Sequence, residues 1–281
     1  MEKINKHQHD IDRILSRRHD LGADWWTTPD KRLNKGSPFS TGDCAIMLLE
    51  LGMEPEDPIL SAVANLFFGV WRKDGRFKLS PSGGILPCHT AYAASLLCRL
   101  GYAKDERIQT TLHHFLETPY TDGGWRCNKF SFGRGPETNH SNPLPTLNVL
   151  DAFRFTPHLN KEPKLNQAVE FLLSHWRIRK PIGPCQYGIG KLFMQIEYPL
   201  WGYSLLPYVY ILSFYEKAQK DERFQEAYEA LKSKLINNQI TVERNSPRLK
   251  DLDFCKKGQP NEQATQRFIE IKARVERGVT Q

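Results

Sequence analysis

Apolar positions along the chain fall into two alternating kinds of run. Between His89 and Leu100 they occupy nearly every side of a helix: Ala91, Ala93, Ala94, Leu96, Leu97 and Leu100. A helix without a polar face is usually enclosed by other elements. Gly101 ends it, because glycine takes a left-handed cap with no Cβ penalty. From Asp105 to Glu117 the pattern changes. Ile108, Leu112, Phe115 and Leu116 fall on one stripe at helical spacing, and the opposite face is polar. Asp105 and Glu106 stand at its start, where the helix dipole favours acids. The two runs predict one buried helix followed by one outer helix.

The unit repeats. Asp74-Gly75-Arg76-Phe77 precedes Asp122-Gly123-Gly124-Trp125 by 48 positions, and Leu51-Gly52 precedes Leu100-Gly101 by 49. A fixed period in this range is the signature of a repeat architecture. Inner helices are predicted at Cys44–Leu51, His89–Leu100, Thr146–Phe153 and Ser204–Phe214. Their outer partners are predicted at Ile59–Trp71, Glu106–Glu117, Lys164–Trp176 and Glu222–Ile236. Lys-Asp-Glu-Arg opens an outer helix at both 104–107 and 220–223, and a fifth half-unit is expected at Glu262–Val275. A plain helical bundle would account for the helices but not for the paired Asp-Gly-aromatic turns. The expected fold class is all-α. Residues 1–38 read as a leading helix and loop, 39–277 as the repeat domain and 278–281 as a frayed tail.

Composition narrows the partners. The 281 residues carry a net charge of +7, which would suit a pyrophosphate or a nucleic acid. The basic residues are interspersed with acids, apart from Arg17-Arg18 and Lys256-Lys257, so no nucleic-acid partner is expected. No run approaches the roughly 18 apolar residues of a membrane helix, and the polar, charged start carries no secretory pattern. The expected location is the cytoplasm. Six cysteines there would be reduced thiols, available for metal or reactive roles.

An inner helix, an outer helix and a Gly-aromatic turn at this period resemble the α/α toroid of squalene–hopene cyclases and protein prenyltransferase β-subunits. Asp122-Gly123-Gly124-Trp125 resembles the core of the QW-type repeat turns. Cys88-His89-Thr90-Ala91-Tyr92 resembles the His-Thr-x-Tyr segment in which prenyltransferase β-subunits place a zinc-binding histidine. The resemblance covers most of residues 39–275, and short bacterial prenyltransferase/squalene-cyclase-like proteins are the nearest likeness. It implies an α/α toroid of about four to five helical hairpin repeats. It also implies parallel inner helices whose N-terminal ends share one rim, and an isoprenoid-like, apolar small-molecule substrate. The likeness stops at the acid motifs. The Asp-x-Asp-Asp with which class II cyclases protonate an alkene is missing, Asp251-Leu252-Asp253 being the nearest run, and so is an Asp-rich magnesium motif. The prenyltransferase zinc trio places an Asp-x-Cys before its histidine, whereas Asp253-Phe254-Cys255 follows His89 here.

Cys88, His89, Cys127 and His140 fall at the start of an inner helix or in the loops beside one. Two neighbouring units would bring them to one rim. Zinc takes thiolate sulfur and imidazole nitrogen in a tetrahedron. Cys88, Cys127 and His140 form the expected zinc trio. His89 and Asp122 are the candidate catalytic residues, or a fourth ligand and its support. The same residues also fit two half-buried thiols and a loop histidine with no metal. Trp125, Tyr198, Trp201 and Tyr203 are the candidates for lining an apolar pocket, since aromatic faces pack isoprenoid chains and stabilise cations. The long irregular stretches at 128–145 and 177–192 flank these positions, and loops on a rigid scaffold tend to carry function. Gly-x-Ser-x-Gly and a P-loop are absent. Three functions stay open: a prenyltransferase- or cyclase-like enzyme, a non-catalytic toroid that holds a protein partner, and a carbohydrate-active ring. The last needs two carboxylates about 5–10 Å apart, a pair the sequence does not present.

Overall fold

The structure is a computed structural model that describes residues 5–127, 131–199 and 202–279. Among these residues it is helix-rich with little strand, which is compatible with the all-α expectation. Helices of two kinds alternate. α2 (Thr41–Glu50), α4 (Pro87–Arg99), α6 (Pro143–Phe153) and α8 (Leu205–Leu212) are buried along most of their length. α3 (Pro58–Phe68), α5 (Glu106–Glu117), α7 (Pro163–Ile178) and α10 (Glu222–Lys232) follow them and are less completely buried. α1 (Gln8–Ser16) precedes them, α9 (Glu216–Gln219) links α8 to α10, and α11 (Glu262–Val279) comes last. Each buried helix packs on its own outer partner. The buried helices also pack in succession, α2 on α4, α4 on α6, α6 on α8 and α8 on α11. The α4–α6 contact is the most extensive. Ala91, Ala94 and Ser95 keep α4 slim, and interaxial distance is set by the side chains at the contact.

The ends of the helices follow the sequence signals. Proline occupies the first turn of α3, α4, α6 and α7, where its missing N–H costs nothing. Gly52 and Gly101 lie just beyond α2 and α4 with φ of 83° and 86°. The repeated Lys-Asp-Glu-Arg builds the same cap twice. Asp105 accepts the Arg107 N–H at 2.9 Å at the start of α5, and Asp221 accepts the Arg223 N–H at 2.9 Å at the start of α10. Two expected boundaries move. α3 stops at Phe68, because Trp71 pairs in an antiparallel bridge with Phe77. α10 stops at Lys232, and the chain then forms a small antiparallel sheet of β1 (Leu235–Ile236), β2 (Gln239–Thr241) and β3 (Pro260–Asn261). Asn237 and Asn238, both at positive φ, make the tight turn between β1 and β2.

The two Asp-Gly-aromatic turns are the same structure 48 residues apart. In the first, Arg72 N–H donates to the Arg76 carbonyl, Gly75 N–H to the Arg72 carbonyl, Arg76 N–H to Asp74 and Phe77 N–H to Thr90 Oγ1 on α4. In the second, Tyr120 N–H donates to the Gly124 carbonyl, Gly123 N–H to the Tyr120 carbonyl, Gly124 N–H to Asp122 and Trp125 N–H to Thr146 Oγ1 on α6. Each turn therefore pins the start of the next buried helix. Gly75 and Gly123 both take φ above 80°. A Cβ on Gly123 would lie 2.5 Å from Gln167 Cβ and 2.8 Å from the Gln167 carbonyl carbon, whereas on Gly75 its nearest contacts are at 3.0 Å. We expect Gly123→Ala to cost about 2–4 kcal/mol from left-handed strain plus overpacking, and Gly75→Ala to cost less. Denaturant midpoints of the two variants would reverse this order if the turn were free to relax.

Where the buried helices end, charges are paired inside. Asp151 of α6 is fully buried; it lies 2.9 Å from Arg99 of α4 and 2.7 Å from Arg154, and Ser95 donates to it. Glu50 of α2 accepts the Tyr198 hydroxyl at 2.6 Å and pairs with Arg267 of α11 at 3.0 Å. Glu270 accepts the Tyr210 hydroxyl at 2.8 Å. The cations suit this end, because helix C-terminal carbonyls present partial negative charge. Burial pushes the Asp151 carboxyl up, but the Arg99 and Arg154 guanidiniums outweigh it and hold the group below the usual carboxylate range. At the other end of the chain, α1 is tied down by buried Asp10, which accepts the Asp253 and Phe254 N–H groups at 2.8 Å each.

Candidate functional site

Three segments meet where α4 and α6 begin: the first turn of α4, the turn at 122–127 with the loop that follows it, and the loop at 179–190. Pro87 starts α4 and sets Cys88 and His89 in its first turn. The second segment is fastened to the start of α6. Asn142 N–H donates to the Trp125 carbonyl at 3.0 Å, and Cys127 N–H donates to Asn142 Oδ1 at 2.7 Å. The third is fastened to the second through Gly183 N–H, which donates to the Glu137 carbonyl at 2.8 Å. Gly183 has φ of 75°, and a Cβ there would lie 2.5 Å from the Ser141 carbonyl oxygen. Only a residue without a side chain lets this loop come so close.

The result is a cluster of thiols. The Cys88 and Cys127 side chains are neighbours, and Cys127 neighbours Cys185 in turn. The Tyr187 phenol stands among all three. Each of the three groups is held protonated. The neighbouring Cys127 thiol and then burial push Cys88 up, burial and then Cys127 push Cys185 up, and burial pushes the Tyr187 hydroxyl up. The parallel course of α4 and α6 follows from the same contacts: their first residues meet at the thiols and their last at Asp151.

The expected pair Cys88 and Cys127 is thus brought together, from positions 39 residues apart. His140 does something else. Its Nδ1 is 3.8 Å from the Asp122 carboxylate, and its side chain is 42% exposed. Asp122 is committed to its turn. It accepts the Ser141 N–H at 2.7 Å, the Ser141 hydroxyl at 2.6 Å and the Gly124 N–H at 3.3 Å. His89 Nε2 lies 3.1 Å from the Asn34 amide nitrogen, its Nδ1 is buried without a partner, and burial lowers its pKa. Asp253 and Cys255 lie against α1 instead, with Asp253 paired to Lys256. Among the described residues, no group of three or more His, Cys, Asp or Glu side chains is arranged so that it could hold a metal ion.

The aromatic candidates are packed into the interior. Trp125 is buried edge-on against Phe115 at 5.7 Å, and it borders a cavity of about 360 Å³ with Pro87, Thr90, His114 and Arg126. Tyr198 is buried against Phe254. Tyr203 stacks on His175 at 5.6 Å and packs with Phe193, Tyr208 and Tyr187. Trp201 lies outside the described residues. The His175 ring is fully buried; its Nε2 donates to the Lys180 carbonyl at 3.0 Å, so Nδ1 accepts the Tyr203 hydroxyl at 2.7 Å.

Three members of this site are absent from the expected set: Cys185, Tyr187 and Asn142. Cys185 carried one usable signal. It sits in the Gly/Pro-rich loop between the third and fourth units, as Cys127 introduces the loop between the second and third. No family model matches the chain, and no curated protein matches it. No helix of the described residues is long and apolar enough to cross a membrane.

Proposed function

We propose that this chain is an α/α toroid protein that works at the rim where its buried helices begin, and that it holds zinc there with Cys88 and Cys127 among the ligands. The toroid is supported by the succession α2, α4, α6, α8 and α11, and by the Arg267–Glu50 pair that joins the last of these to the first. The repeated turns support the repeat. The observation that carries the zinc reading is that the Cys88 and Cys127 thiols are neighbours at a point where three segments converge. The donor chemistry fits: sulfur is a preferred zinc ligand, and adjacent buried thiols lose protons readily only when a cation is present to hold the thiolates. Bound zinc supplies a Lewis acid that activates a thiol or a water. The chain's own residues would hold the substrate in the cavity of about 360 Å³ that Trp125, Phe115, Ile85 and Pro87 border beside the first turn of α4. That apolar and aromatic lining suits an apolar, isoprenoid-like molecule, which makes a prenyltransferase- or cyclase-like enzyme the working hypothesis. Free thiols in all six cysteines suit a reducing compartment such as the cytoplasm.

Elemental analysis of untagged protein is expected to give near-stoichiometric zinc that is lost in Cys127→Ser. Full zinc content in that variant would remove the site from this rim. A second reading, a non-catalytic toroid holding a protein partner, is favoured by Asp122, whose carboxylate serves its own turn. It expects no zinc, and partner binding that survives Cys88→Ser.

A further inference from the structure

We propose that the cavity where the buried helices end is a binding site for a small organic carboxylate, with Arg154 taking its head and Ile46, Leu49, Met53 and Phe155 receiving its apolar body. The site is separate from the rim at the start of α4 and does not depend on zinc there. Arg99 stands 11 residues beyond Cys88 on α4 (99 − 88), about 16 Å along the helix at about 1.5 Å per residue.

The cavity has a volume of about 330 Å³, and Arg99, Arg154 and Arg267 line it together with the apolar residues just named. Arg154 carries the argument. Its side chain is nine-tenths buried, and its Nε donates to Asp151 at 2.7 Å. Its two terminal nitrogens donate to no acceptor among the described residues, and they are not sealed within the protein, so they open to the cavity that Arg154 lines. A buried donor without an acceptor is costly, and more so when it is charged. The guanidinium is also held in place. It lies 4.0 Å from the centre of the Phe155 ring and 4.7 Å from that of Phe214, while Asp151 fixes its inner edge. What remains is a rigid fork of N–H groups, and a carboxylate matches such a fork with two parallel hydrogen bonds.

A second arginine shows the same shortage of acceptors. Arg267 pairs with Glu50 at 3.0 Å and with Glu270 at 3.2 Å, yet its Nε is buried with no partner. The charges set the valence of the ligand. Arg99, Arg154, Arg267 and Arg274 are paired with Asp151, Glu50 and Glu270, which leaves one positive charge in excess. Glu54 also lines the cavity, but it is exposed and its charge is screened by solvent. One excess charge suits a monoanion, a carboxylate rather than a phosphate dianion. The remaining wall is apolar, so the carboxylate is the head of an apolar body.

The test is isothermal titration of the full-length protein with hexanoate, hexanamide and inorganic phosphate. Hexanoate is expected to bind, and hexanamide, of the same shape without the charge, to bind about tenfold more weakly or worse. Phosphate is expected to bind more weakly than hexanoate. Arg154→Lys keeps a cation beside Asp151 but removes the fork, and about a tenfold loss of hexanoate affinity is expected. Met53→Trp fills the cavity from a half-buried position and leaves every charge in place; it is expected to abolish binding, and it decides the matter if Arg154→Lys does not fold. No binding of hexanoate to the wild type overturns the inference, as does equal binding of hexanamide. Tighter binding of phosphate overturns the carboxylate assignment. Wild-type affinity in Met53→Trp puts the ligand elsewhere and overturns the site.

Discussion

Replacing Asp151 with asparagine lowers folding stability by about 3–5 kcal/mol, because it leaves two buried guanidiniums without their shared carboxylate. The Asp151 side chain is 1% exposed, and those of Arg99 and Arg154 are 9% and 10% exposed. Water therefore cannot replace the lost charge. Asparagine keeps the shape and can still meet Ser95, so the loss reports the missing charge rather than a cavity. Urea denaturation measures it. The internal control is Glu216→Gln, whose pairing with Lys220 is at the surface; its midpoint is expected to stay where it is, as exposed pairs contribute little. A midpoint shift in Asp151→Asn no larger than in the control would show that the buried network is not a source of stability. The pH dependence has a definite sign. The folded-state pKa of Asp151 lies below its ordinary value. Its stabilisation is thus complete above the unfolded carboxylate range and is lost as pH falls through the folded value.

Acid acts on a second buried group at a higher pH. Burial pushes His175 down to about 4 from 6.5, against the opposing pull of the Lys180 carbonyl, with His140 adding a smaller push in the same direction. The neutral ring is the one the fold accepts, since Nδ1 must accept from Tyr203 while Nε2 donates to Lys180. A depressed folded pKa means that stability is fully present above pH 6.5 and is lost as pH falls toward 4. At about 1.4 kcal/mol per pKa unit, the difference is about 3 kcal/mol. Urea midpoints at pH 7.5, 5.5 and 4.5 should therefore fall steeply in the wild type. In His175→Gln the starting stability is lower, and the slope above pH 4.5 should flatten. An unchanged slope in the variant would assign the acid sensitivity to other groups.

Much of this architecture is legible in residue order because it is local. All-round apolar runs become α2, α4, α6 and α8, and striped runs become their outer partners, since burial is imposed on each helix by its own periodicity. Caps and turns are equally local. Lys-Asp-Glu-Arg caps two helices in one way, and Asp-Gly-x-aromatic folds into one turn twice, because each needs only hydrogen bonds within a few residues. The meeting of Cys88 with Cys127 also follows from the repeat, which places equivalent loops at one end of neighbouring units. What the tertiary structure alone decided are the partners across elements. Cys185 joins the thiols because Gly183 lets its loop press against Ser141. His140 is at Asp122 rather than at sulfur, Tyr198 and Tyr203 are spent on Glu50 and His175, and Asp151 draws Arg99 of the neighbouring α4 to the pair it makes with Arg154 at the end of its own helix. Periodicity specifies that a side chain is buried. Which group it meets there depends on the rotation and height of helices relative to one another and on loop closure, and these are set by packing over the whole molecule.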